Sequence, residues 1–155
     1  MIKADELEQS RPTVRVDSTK ITLEVIQRAV KDVAQRDGIP VAFRRDEVKS
    51  GGFLNSSVED CLVVYHPEHE KDYYGYCFRL SKQGRFTFIS VDFCGKSKQI
   101  RSARSLEYRK NQEHGLSLTE SLLESVHSSV NKHKLEQEQM YYVCMDAILD
   151  ELLEF

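Results

Sequence analysis

Apolar residues recur at Leu23, Ile26, Val30 and Val33, with Ala29 and Ala34 alongside, which is the one-sided stripe of an amphipathic helix. Asp17, Ser18 and Thr19 offer N-cap side chains ahead of it. Gly38 followed by Pro40 stops it, so the pattern predicts a helix over roughly 20–36. The period then shortens. Runs at 60–65, 73–80 and 85–93 are rich in β-branched and aromatic residues, as strands are, and 41–45 begins a shorter one. Cys61-Leu62-Val63-Val64-Tyr65 is apolar at every position and reads as a central strand buried on both faces. Pro67 ends it, since proline has no N–H for a ladder.

The last two runs form a hairpin about Lys82-Gln83-Gly84. A three-residue loop with Gly84 left-handed sets Leu80 opposite Phe86 and Phe78 opposite Phe88. That register collects these four on one face and leaves Cys77, Ile89 and Val91 on the other, the choice favoured by aromatic cross-strand pairs.

Further on, Ser117-Leu118-Thr119-Glu120 has the form of a capping box. Leu118, Leu122, Val126 and Val130 repeat every four residues behind it, 131–139 is nearly all polar, and Met140, Tyr141, Cys144, Ile148 and Leu152 resume the apolar pattern. One long helix and two helices with a polar joint both fit. Helices beyond about 25 residues are uncommon in small domains, which favours two. Residues 1–16 read as a flexible N-terminal arm with at most a short edge strand at Val14 and Val16, and 17–155 as a single domain. The expected fold is α+β: an antiparallel sheet of about four strands, preceded by one helix and followed by one long or two C-terminal helices.

Composition narrows the function classes. At 155 residues the chain is long enough for one core without metal or disulfide staples. A net charge of −3 gives no overall attraction to nucleic acid or to an anionic membrane. Residues 1–11 lack the apolar segment of a secretory signal, and no run approaches the ~18 apolar residues that span a bilayer. The four cysteines show no metal spacing and lie in apolar runs, so they read as small buried hydrophobes in a reducing, cytoplasmic compartment.

Three surfaces carry candidate chemistry. Lys96, Lys98, Arg101, Arg104, Arg109 and Lys110, interrupted only by Glu107 and accompanied by Tyr108, have the charge to contact an anion or nucleic acid. Residues 135–155 are acidic without a single cation, so the two patches are also suited to pair with each other. On the final stretch, Tyr141, Met145, Ile148, Leu149, Leu152 and Phe155, with Tyr142 and Leu153, form an apolar arc wider than one buried stripe, which points to a partner interface. His66-Pro67-Glu68-His69-Glu70 gathers two imidazoles and two carboxylates, the donor types of a metal or acid–base site, although proline marks a turn there. Gly51-Gly52-Phe53 is no phosphate loop, because the Gly-Lys-Ser/Thr ending is missing.

The resulting expectation is a small cytoplasmic domain without cofactor or catalytic activity. It acts by protein–protein contact and self-associates as a homodimer through the C-terminal helix. Nucleic-acid association through 96–110 is the alternative, and a metal-dependent enzyme centred on His66 and His69 the third reading.

Overall fold

The computed structural model describes residues 1–101 and 118–153, with the backbone alone for 118–131. In chain order it contains β1 (Ile2–Lys3), a 3-10 turn (Ala4–Glu6), β2 (Glu8–Gln9), β3 (Val14–Val16) and α1 (Leu23–Asp37). Four nine-residue strands follow: β4 (Ala42–Ser50), β5 (Ser57–Tyr65), β6 (Gly75–Gln83) and β7 (Phe86–Cys94). Helix α2 (Leu118–Leu153) completes the chain.

The sheet differs from the four-stranded antiparallel one expected. It has seven strands and is mixed, in the order β1-β4-β5-β6-β7-β2, with β3 also paired to β7. Strands β4 to β7 are antiparallel neighbours, whereas β1 runs parallel to β4. The three added strands come from residues 2–16. β3 is the short edge strand allowed at Val14 and Val16, whereas β1 and β2 are two residues long, too short to leave a periodic signal, and exist only through distant pairing such as Ile2 with Val48 and Glu8 with Phe93.

That pairing bends the sheet. β1 and β2 end the strand order, and a flat path of six strands would hold them about 24 Å apart. Lys3 to Glu8 spans at most ~18 Å of chain. The sheet curls accordingly into a half-barrel, and the 3-10 turn crosses its concave side. Ala4 and Leu7 pack there on Ile2, Val48, Cys61, Val63, Cys77 and Cys94. Small and β-branched side chains suit this narrow side.

The convex side carries the larger core. Leu62, Val64, Tyr76, Phe78, Ile89 and Val91 meet Ile26, Val30 and Ala34 of α1 and Met145, Ile148 and Leu149 of α2. Helix α1 begins where the Thr22 hydroxyl accepts the Val25 N–H at 3.2 Å. It ends at Gly38, whose φ of 71° lets its N–H return to the last turn.

Two local expectations also change. The β6–β7 turn consists of Gly84-Arg85, with Gln83 opposite Phe86 and Phe78 opposite Val91. Gly84 has φ 59° and Arg85 a negative φ, the combination of a type II′ turn, whose twist matches the flanking strands. The offset from the expected register is odd, which exchanges faces. Phe78 and Leu80 therefore share the convex face with Ile89 and Val91, while Phe86 and Phe88 turn away. The second change is in α2, which is one unbroken helix of 36 residues, about 54 Å long, where two helices were favoured. Lys132, His133, Lys134, Glu136 and Gln137 are exposed, so the polar stretch marks a solvated length of helix and not a break.

Candidate functional site

Where α1, β3 and the last turns of α2 meet over β6 and β7, their packing leaves a cavity of about 170 Å³ open to solvent on one side. Val25 and Ala29 of α1, Phe78 and Ile89 of the sheet, and Leu152 and Leu153 of α2 form its walls and floor, and no polar side chain lines it. The small Ala29 leaves room between the two helices. Val25 is 43% exposed at the rim. Arg36 ties the helices together nearby, donating to the Glu151 carboxylate at 2.7 and 2.5 Å.

A second feature rises from the opposite part of the sheet. β5 pairs with β6 only from Cys61 to Val64, so the distal part of the β4–β5 hairpin extends past β6 and is flanked there by β1 alone, at Val48 and Lys49 of β4. The Ser50 and Ser57 hydroxyls lie 2.7 Å apart at the end of its ladder. Gly51 then turns with φ 90°, and a Cβ on it would sit 1.9 Å from the Asn55 carbonyl oxygen, so the turn requires glycine. The loop presents Phe53 and Leu54 at 102% and 90% exposure. Sequence reading identified the Gly-Gly turn and overlooked this pair. Its signal was two large apolar residues placed between glycines and Asn-Ser-Ser.

The 66–74 loop packs on α2 through rings. His69 stacks on Tyr73 with centroids 4.0 Å apart and planes 4° from parallel, and its Nδ1 lies 3.2 Å from both Asp72 carboxylate oxygens. His66 stands edge-on to His69 and Tyr141, and its Nδ1 accepts the Glu68 N–H at 3.1 Å. Burial, reinforced by the neighbouring His69, holds the His66 imidazole below its ordinary pKa. Beneath them Glu138 is fully buried. It accepts a hydrogen bond from the Tyr142 hydroxyl, with the Ser97 side chain close by, while its second carboxylate oxygen has no partner within hydrogen-bond geometry among the described residues. Burial raises its pKa. Glu138 escaped the sequence reading because it lies in the polar stretch 131–139; only its spacing of three and seven from Tyr141 and Met145 places it on the inward stripe. Among the described residues no group of three or more His, Cys, Asp or Glu side chains is arranged to hold a metal ion. The contacts of His66 and His69 fasten a loop to a helix.

The other expected sites separate. Lys96, Lys98 and Arg101 are exposed at the start of a helical turn over 98–101, where the Ser97 hydroxyl accepts the Ile100 N–H at 3.0 Å. Arg104, Tyr108, Arg109 and Lys110 lie outside the described residues. Tyr141, Met145, Ile148 and Leu149 are buried in the chain's own core, and the Tyr141 hydroxyl donates to the Pro40 carbonyl at 3.0 Å. Leu152 is half-buried on the groove, and Phe155 lies outside the described residues. Met140 and Val143 are the exposed large apolar side chains on the described part of α2. Two acids of the C-terminal stretch reach other cations than those expected: Asp150 pairs with Arg11 and Glu151 with Arg36.

No family model matches the chain, and no significant match joins it to a curated protein or a solved structure. No helix among the described residues is long and apolar enough to cross a membrane.

Proposed function

We propose that this protein is a non-catalytic interaction domain that receives one apolar side chain of a polypeptide partner in the groove between α1 and the end of α2. The supporting observation is an open cavity of about 170 Å³ without a polar lining. A cavity of about 150 Å³ lined by Leu, Ile and Phe is large enough to bind benzene, so this one suits a single aromatic or branched aliphatic group. Burying such a side chain contributes about 1.5–3 kcal/mol, which makes an anchor but leaves a large part of the affinity to the rim. Leu152, expected in the interface, stands in the wall of the groove, while Met145 and Ile148 support that wall from within the core. All four cysteines are unbridged, which supports a reducing, cytoplasmic setting.

Selection of displayed random peptides on the wild-type protein, with counter-selection on Val25→Glu and Leu152→Glu, tests the proposal. Enriched peptides should share one aromatic or aliphatic anchor. Selection that yields no peptide discriminating wild type from the variants would remove the groove as a docking site.

A second reading, association with nucleic acid, draws on the exposure of Lys96, Lys98 and Arg101. Its test is oligonucleotide binding across a salt series. Affinity that fails to fall with salt, or is unchanged in Arg101→Ala, would set it aside.

A further inference from the structure

Away from the groove, Glu138 of α2 meets the 66–74 loop and the 98–101 turn, and we infer that its proton sets how often that turn lifts from α2. With the proton bound, the turn stays docked. Without it, the turn opens more often and lets water reach the carboxylate.

The carboxyl is fully buried, and Ser97 at the start of the turn is 2% exposed. On α2 the Tyr142 hydroxyl donates to one carboxylate oxygen. The Ser97 side chain approaches from the turn, and Tyr73, Asp72 and His69 approach from the loop. Asp72 carries the same charge as an ionised Glu138, and its carboxylate already holds His69 Nδ1 at 3.2 Å. The second Glu138 oxygen has no partner among the described residues. An anion placed there loses its hydration and faces a like charge, a cost that the neutral acid escapes.

Of the two segments over Glu138, the turn is the looser. The loop is fixed by the stack of His69 on Tyr73, by burial of Tyr73 in the larger core, and by the Tyr74 N–H on the Tyr142 hydroxyl. The turn reaches the loop through the Lys98 N–H, which donates to the Asp72 carbonyl at 3.0 Å, with Gln99 Nε2 3.5 Å from the Asp72 carboxylate. The bonds from the Ile100 and Arg101 N–H groups to Ser97 lie within the turn itself. A single helical turn opens at lower cost than a core strand. It carries Lys98 and Arg101, so one proton governs how rigidly these two exposed cations are held.

Native-state hydrogen exchange of the Lys98, Ile100 and Arg101 amides from mild acid to neutral pH tests this, each rate being divided by the intrinsic rate at that pH. The lifted carboxyl titrates near 4.5 and the docked one higher, so protection should fall about tenfold per pH unit above 4.5. It should level off once the docked carboxyl has ionised, at the pH where the Glu138 carboxyl carbon titrates by NMR. In Glu138→Gln, protection of the turn should not change with pH. The β5 amides from Cys61 to Val64, paired on both sides, should exchange more slowly than the turn throughout, which separates lifting from global unfolding.

Turn amides that follow β5 at every pH would overturn the inference, as would an unchanged pH dependence in Glu138→Gln. A dependence lost in His69→Gln but kept in Glu138→Gln would assign the switch to the imidazole and overturn it as well. The match between carboxyl titration and levelling is read in wild type alone, so a variant that fails to fold does not shelter the idea. Two different pH values there would sink it.

Discussion

The phenol of Tyr142 donates to the carboxylate of Glu138 one turn earlier on α2, and its oxygen accepts the Tyr74 N–H at 2.9 Å. One hydroxyl therefore joins the helix to the start of β6. Tyr142→Phe removes a donor and an acceptor together and leaves both partners unsatisfied. The expected cost is about 1–3 kcal/mol, read as a lower urea midpoint at unchanged slope. A midpoint equal to wild type would mean that water replaces the hydroxyl without penalty.

Glu138 also makes stability depend on pH. Burial raises its folded pKa above the ordinary 4.5, so the folded state holds its proton at pH values where the unfolded chain has released it. The resulting stabilisation is complete below about 4.5 and is lost as pH rises through the raised value. Tyr142, Ser97, Asp72 and His69 surround the carboxyl and contribute to its setting. Comparison with Glu138→Gln cancels the other acids, whose shifts are common to both proteins. The glutamine variant should gain on wild type steadily from mild acid to neutral pH, and a pH-independent difference would contradict this.

Met145 separates core from interface. It is completely buried against the sheet, so Met145→Ala should cost about 2–5 kcal/mol. The loss should be the same in dilute and concentrated protein. A destabilisation that vanishes on dilution would return Met145 to an intermolecular contact.

The thiols should divide three to one. Cys61, Cys77 and Cys94 are buried on the concave side, and burial pushes Cys94 up to about 11. Contact with Cys61 and burial push Cys77 far above the ordinary thiol range. Cys144 is only half-buried. Under native conditions a thiol reagent should label Cys144 first, with the remaining three following only upon unfolding, and Cys144→Ser should abolish the early phase. Rapid native labelling of a second cysteine would show that the concave side opens.

What the sequence disclosed depends on how local each cause is. Helix α1 was legible because its stripe and Gly38 act within a few residues of one another, although its N-cap is Thr22 and not Asp17, Ser18 or Thr19. Strands β1 and β2 were not, because two residues acquire strand character only from partners more than forty positions away. In the β6–β7 hairpin, Gly84 was recognised as the turn residue, but its two-residue turn outweighed the aromatic pairing on which the register was argued. The apolar arc of α2 was visible too. Periodicity gives the width of such an arc and not its destination, and most of it went to the chain's own sheet. The groove was illegible for a related reason: Val25 stands beside the core stripe of α1 and Leu152 on that of α2, and the space between them is left open by where the neighbouring elements end.

The N-terminal strands have one more consequence. β2 and β3 cover β7 at Asp92–Phe93 and Thr87–Ile89, and the Ser10 N–H takes the Val91 carbonyl between them. On the other side β1 covers β4 at Val48 and Lys49. The stretch of β4 beyond its reach carries Arg44, Arg45, Asp46 and Glu47 in succession, a row of charges that resists a foreign strand. The sheet offers little template for copying its backbone. It is thereby guarded against runaway cross-β growth and against capture of an extended foreign chain along its edges.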